Sequence, residues 1–350
     1  MKNGEIRNDL ANVPINAHGG GILCHRNVYY WFGEHKTEGW EGRLAWHGVH
    51  AYQSGDLKNW IDRGIVLPVV DDPDSPIRRG CRIERPKVMF CEKTGKFVMY
   101  FHSTDENHTL ARCGVAIADH PEGPFTFLYA KRPEKGCWPL DVTPEDKDPK
   151  TIAACPPSEQ LCNGENETSP KSNILGRDFA GGQMARDMTL FIDDDKTAYH
   201  IYASEQNSTM HISRLTDDYI EYDGAYIRVF QNRWMEAPVM FKNNGRYYLL
   251  MSGCTSWAPN TARGAYADHI FGPWTEFGNP CEGSDPDNIA GAEITFGGQG
   301  ACAFAHHGKV IVMLDRWNPR NFIDSRYLWL PVVFKGDGTY ALPYVAEGIV

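Results

Sequence analysis

The sequence predicts an all-β protein, a five-bladed β-propeller with four antiparallel strands in each blade. Three observations lead there. An apolar strand, a polar turn and an aromatic or apolar strand recur along the whole chain. Each such hairpin is followed by a second, more polar strand pair. Four strands repeated in this way is the pattern of units set radially about a channel, with innermost strands buried on both faces. A pair of β-sandwiches is the alternative reading.

The five apolar hairpins begin near Ile22, Lys87, Met188, Pro238 and Ala301. The first spans residues 20–33, and residues 49–60 supply its outer strands. The second spans 86–100, followed by 113–118 and 123–126. The third spans 188–202, with Asp193-Asp194-Asp195 as a solvated turn, and is followed by 210–215. The fourth spans 238–251, and its Asn244-Gly245 is a strong hairpin signal. Residues 263–267 and 272–275 come after it. The fifth spans 300–313, followed by 326–333. The long second interval holds a loop insertion at about 135–182, rich in Pro, Asp, Glu, Ser and Asn and low in periodicity. No linker appears, so residues 1–350 read as one domain.

Composition agrees with a turn-rich β protein whose clefts are lined by aromatics: 34 Gly, 22 Pro, 10 Trp, 16 Tyr and 16 Phe in 350 residues. A net charge of −10 argues against a nucleic-acid partner, which needs a basic face. There is no apolar run of about 18 residues, so no membrane-spanning helix is expected. Met1-Lys2-Asn3-Gly4-Glu5 opens the chain without an apolar leader core. Of the ten cysteines, Cys24, Cys91, Cys113 and Cys302 read as buried thiols. Cys137, Cys155 and Cys162 lie in the insertion and can be bridged there, and Cys254 can pair with Cys281. No CxxC spacing suggests a metal. Three sequons, at Asn107, Asn166 and Asn207, permit glycosylation.

The starts of the innermost strands carry polar groups in apolar surroundings. These are Asn16-Ala17-His18-Gly19-Gly20, Glu84-Arg85-Pro86, Arg186-Asp187, Glu236-Ala237-Pro238 and Gly297-Gly298-Gln299-Gly300. In a propeller these starts converge on one end of the axis. Three carboxylates and a carboxamide brought together there would repel and raise one another's pKa. A cleft that needs an acid and a negative field explains them better than stability does. Pro86 and Pro238, close behind a Glu, read as favouring extended backbone at these starts. The glycines around Gln299 read as letting backbone approach a ligand.

Together these motifs resemble glycoside hydrolase family 43 over essentially the whole chain, and within it the branch of exo-β-1,3-galactanases. Residues 15–22 and 29–34, Ser252-Gly253-Cys254-Thr255-Ser256-Trp257 and Gly298-Gln299 complete the match. The resemblance implies a five-bladed propeller and an inverting, exo-acting hydrolase that releases galactose from the non-reducing end of β-1,3-galactan, the arabinogalactan backbone. It implies Glu236 as general acid and Asp187 as the carboxylate that orients it and tunes its pKa. Most of the family has an aspartate base at the start of the first blade, where this chain reads Asn16-Ala17-His18. In the galactanase branch a Gln matching Gln299 holds the attacking water, as an imidic acid or through a relay, and a Glu matching Glu84 binds the sugar or assists. Glu34 and Thr255 match sugar contacts.

Three further residues are read beside these. Trp257, next to Thr255, can stack on a sugar ring. Arg85 is expected to fix a carboxylate by paired hydrogen bonds, and His18 either to line the channel and bind substrate or to make a structural hydrogen bond. His306 and His307 read as turn residues rather than ligands of an axial ion. No cofactor or metal is expected. The expected partner is an oligo- or polysaccharide, the protein a monomer, secreted or periplasmic with its leader not part of this chain. An α-L-arabinofuranosidase, a β-xylosidase or galactofuranosidase of the same family, and a glycan-binding propeller without activity, are the competing readings.

Overall fold

The computed structural model describes residues 2–154, 178–287 and 290–347. It is an all-β propeller. Four of its sheets have four antiparallel strands in sequence order: His18–His25 to Ile61–Pro68, Arg82–Cys91 to Thr126–Lys131, Met188–Ile192 to Tyr222–Val229, and Met235–Asn243 to Thr275–Gly278. A fifth, Gln299–His306, Lys309–Arg316 and Arg326–Pro331, has three strands.

The expectation of five uniform blades is corrected here, because the described residues form six sheets of three or more strands. After Pro331 the chain leaves the fifth sheet and makes the short pair Val333–Phe334 and Tyr340–Pro343. Tyr340–Pro343 then pairs in parallel with Cys281–Glu282, far earlier in the chain, to give the additional sheet. Residues 326–333, expected as the outer strand pair of the fifth unit, instead give one strand to the fifth sheet and the start of another to the additional sheet. Strands of two to four residues, paired at long range, carry no periodicity to read.

The first strands of the other five sheets touch in a closed ring, His18–His25 beside Arg82–Cys91, then Met188–Ile192, Met235–Asn243, Gln299–His306 and back. Two-residue loops with positive φ close three of the inner hairpins: Arg26-Asn27, Asn244-Gly245 and His307-Gly308. Such turns match the strand twist, and Asn-Gly tolerates them most easily. Apolar side chains fill the spaces between neighbouring sheets. Phe32 and Val49 meet Phe97 and Phe101, for example, and Trp31 and Tyr52 meet Phe304 and Trp329. The additional sheet brings Tyr340 and Leu342 against the fourth and fifth.

The described part of the insertion is not structureless. It contains the short helix Pro149–Ala154 and lies against the third sheet, where Leu140 N donates to Tyr226 O at 2.8 Å. Cys155, Cys162 and the Asn166 sequon fall outside the described residues. Cys281 and Cys137 are free thiols, so the Cys254–Cys281 bridge is not formed, and Cys24 is exposed rather than buried. No described helix is long and apolar enough to cross a membrane.

Candidate active site

Antiparallel pairing places the end of each second strand beside the start of the first. His18 thus lies opposite Glu34, Glu84 opposite His102, Glu236 opposite Ser252, and Gln299 opposite Asp315. Both sets of side chains therefore gather at one end of the ring.

Bulges interrupt the first strands there, between His18 and Gly21, Glu84 and Lys87, Glu236 and Val239, and Gly300 and Cys302. Arg85 and Ala237, the residues that actually precede the prolines, are left-handed, with φ of 57° and 50°. Glu84 and Glu236 themselves lie within strands, as expected of them, but the prolines do not follow them directly and the intervening residue is not extended. A bulge with a left-handed residue kinks the strand and re-aims its side chains. Gly300 is required for a different reason from the one expected. A Cβ there would stand 2.9 Å from Ala237 O and 2.8 Å from a Val239 methyl, so it admits the neighbouring strand rather than a ligand.

The result is a cavity of about 330 Å³, lined among others by Glu34, Glu84, Arg85, Asp187, Glu236, Trp257 and Gln299. Seven of the nine expected residues are thereby brought together. His18 is not among them. It is buried, stacked on Tyr327 at 4.9 Å between ring centroids, with Nδ1 3.6 Å from Asp315. Thr255 is not among them either. Its hydroxyl donates to Ala258 O at 2.6 Å and accepts from Asn260, closing the turn that presents Trp257.

Arg85 ties the wall together. Its Nη2 lies 2.9 Å from Asp187 Oδ2 and 2.5 Å from Gln299 Oε1, and its Nη1 donates to Gly300 O at 2.7 Å. Its backbone N–H donates to Glu34 Oε1 at 3.0 Å, and Glu34 Oε2 pairs with Lys36 Nζ at 2.5 Å. Asn16, where the family aspartate was expected, is spent on structure: its amide grips both backbone groups of Lys36 at 2.8 Å.

Gln299 is held on three sides. Oε1 accepts from Arg85 Nη2 and, at 3.0 Å, from Trp317 Nε1, while Nε2 donates to Ser252 Oγ at 3.1 Å. Arg and Trp nitrogens only donate, which fixes the amide orientation. Asp187 Oδ2 also accepts from Ala237 N at 3.2 Å, and Asn207 Nδ2 donates to Glu236 Oε1 at 2.8 Å. Burial, then the neighbouring charge of Asp187, pushes Glu236 up to about 8.

Glu84 has the opposite surroundings. Oε1 accepts from Arg82 at 3.1 Å and Oε2 from His102 Nδ1 at 2.9 Å. Burial resists its ionisation, but His108, His102 and Arg82 outweigh burial and hold it well below the usual carboxylate range. Burial also pushes His108 down to about 4, so His108 is charged only in the acidic range where Glu84 would take up a proton. Glu84, His102 and His108 have donor atoms within 4.8 Å of one another, the spacing a cation could use. Both Glu84 oxygens are already taken, one by a guanidinium that would repel a divalent ion, so the group fits a charge-paired carboxylate better.

Below this wall Lys87 Nζ donates to Gly19 O at 2.9 Å and to Arg85 O at 3.3 Å. The same side chain borders the apolar channel on the other side, beside Gly21 and Cys302.

Lys36, Asn207, Ser252 and Trp317 were not found from the sequence. Lys36, Ser252 and Trp317 sit at or just beyond the ends of second strands, so the antiparallel rule applied to both ends would have flagged them. Asn207 lies on a left-handed turn that has no glycine to signal it.

The family model for Glycosyl hydrolases family 43 matches residues 169–340. A solved family 43 β-1,3-galactosidase with galactodeoxynojirimycin is 40% identical, with a TM-score of 0.88 and coverage of 99% of each chain. The exo-β-1,3-galactanase of Phanerochaete chrysosporium with galactose is 30% identical at a TM-score of 0.76, covering 99% of this chain and 66% of that one. Among curated proteins, a xylosidase/arabinosidase of Bacteroides ovatus is 27% identical over 245 residues, 65% of this chain. The chain spans 64% of that relative's length.

Proposed function

Because the chain belongs to glycoside hydrolase family 43, we propose that it is an inverting, exo-acting hydrolase that releases galactose from the non-reducing end of β-1,3-galactan. The observation that supports this reading is that Glu236, with its pKa pushed up, and a clamped Gln299 line one small cavity. Inverting hydrolysis needs an acid on the leaving oxygen and a water on the opposite face of the ring, with the two groups roughly 6.5–9.5 Å apart. Glu236, pushed up to about 8, still carries its proton at neutral pH. In this reading it gives that proton to the glycosidic oxygen as the bond to the anomeric carbon breaks. Asp187 keeps its pKa high and holds Ala237 N beside it.

Gln299 orients the water. Both lone pairs of Oε1 already accept from pure donors, so an imidic acid carrying a proton on that oxygen is disfavoured. What Gln299 has left is one N–H, which can hold a water but cannot take its proton. The acceptor we assign is Glu84, a carboxylate of the same wall that Arg82, His102 and His108 keep ionised. Glu34, Lys36 and Trp257 are left to fix the sugar. The likeness to galactose-processing relatives supports galactose, and the use of Asn16 as a structural clamp speaks against the ordinary aspartate mechanism of the neighbouring branches.

The test is incubation with β-1,3-galactobiose and with an aryl α-L-arabinofuranoside, following the product anomer by NMR. Release of α-galactose from the first, lost in Glu236→Gln, is expected. Cleavage of the arabinoside alone would move the chain to another substrate branch, and no turnover of either would leave a glycan-binding role.

A further inference from the structure

We propose that Glu205 is a positioning residue for the general acid, acting through the turn it anchors; this rests on the reading of Glu236 above. Glu205, Gln206 and Asn207 have φ of 51°, 59° and 68° in succession, and none of them is glycine. A left-handed residue of this kind is strained, so three in a row persist only where the surroundings enforce them.

The enforcement is visible. The Glu205 carboxylate is fully buried and receives four donors. Arg228 Nε and Nη2 reach its two oxygens at 2.6 and 2.9 Å, His211 Nε2 reaches Oε1 at 2.9 Å, and Thr209 Oγ1 donates to Oε2 at 3.0 Å. The bidentate guanidinium pair fixes direction as well as charge. Ser208 Oγ donates back to Glu205 O at 2.7 Å and closes the turn.

Three groups of that turn reach the acid or the segments beside it. Gln206 Oε1 accepts from Arg186, next to Asp187, at 2.8 Å. Ser208 O accepts from Arg233 N at 3.0 Å, in the segment that leads to Glu236. Asn207 Nδ2 donates to Glu236 Oε1 at 2.8 Å. An amide nitrogen only donates, so Oε1 accepts; the carbonyl oxygen of a neutral carboxyl is its better acceptor, which favours the transferable proton on Oε2. Glu205 thus biases, at second hand, which oxygen of the acid carries the proton.

The experiment is steady-state kinetics across pH on β-1,3-galactobiose for Glu205→Gln, Glu205→Asp, Thr209→Val and Glu236→Gln. In Glu205→Gln we expect kcat to fall roughly 10- to 100-fold, part of the roughly 10²- to 10⁴-fold that a positioned acid supplies. KM should stay within about twofold, because Glu205 touches no substrate. The alkaline limb should move up, since a lost N–H donor disfavours the carboxylate. Glu205→Asp should recover part of the rate. Thr209→Val, a milder change, should show the same pattern more weakly and decides the matter should Glu205→Gln fail to fold. A fall that tracks only the folded fraction, with the alkaline limb unmoved, overturns the proposal, as does an unchanged kcat. Turnover surviving in Glu236→Gln sinks the parent reading and this one with it. A silent Glu205→Gln beside an inactive Glu236→Gln sinks this one alone.

Discussion

Glu84 and Glu236 stand in the same local frame, yet at neutral pH one is ionised and the other is protonated. Each opens an innermost strand, each precedes a left-handed residue and a proline, and each sits at a bulge. The difference lies in the side chains that surround them. Glu84 meets Arg82, His102 and His108 and stays ionised. Glu236 meets Asp187 and a single amide donor and is pushed up to about 8. Two carboxylates whose surroundings drive their pKa values apart is how one site holds an acid and a base at one pH. Backbone equivalence places the pair, and the neighbours assign the roles.

The most direct way to break the comparison is to remove the acid. Glu236→Gln should cost roughly 10²- to 10⁴-fold in kcat on β-1,3-galactobiose; a Glu84→Gln loss far larger than this would reverse the assignment. Next comes Gln299→Ala, where kcat should fall by about 10²-fold or more with KM barely altered. Near-normal turnover there would remove Gln299 from the mechanism.

Titration sharpens the contrast. The wild-type rate should decline above about 8 as Glu236 loses its proton. Arg82→Met should move the acidic limb up, because Glu84 loses a cation, and leave the alkaline limb in place. Stability carries the same signature. The folded pKa of Glu236 lies above its ordinary 4.5, so its contribution is fully present below 4.5 and is lost as pH rises through about 8. Glu236→Gln should therefore melt higher than wild type at pH 9 and the two should converge near pH 4, as thermal unfolding would show. Smallest is Trp257→Ala, with KM raised about 5- to 10-fold for the loss of roughly 1 kcal/mol of ring stacking. An unchanged KM would mean that Trp257 only packs on Trp40 and Phe322.

The innermost hairpins were legible because apolar runs broken by Asn-Gly and similar turns are local signals. The carboxylates at their starts were legible because charge in an apolar context stands out. His18 misled because a Gly-rich start resembles a ligand loop, whereas its ring is stacked on Tyr327 and covered. Thr255 misled because its turn presents Trp257 instead. The additional sheet escaped because its strands are too short for a period and pair across a long stretch of chain. Asn207 escaped because the strain in its turn is sustained by a buried charge pair rather than by glycine.

The ammonium of Lys87, bonded to the carbonyls of Gly19 and Arg85, ties the first two innermost strands together behind the wall of the cavity. An exo-acting site entered from one end of the ring would release the chain before the monosaccharide, so long substrates should shorten evenly across the population rather than being consumed one molecule at a time.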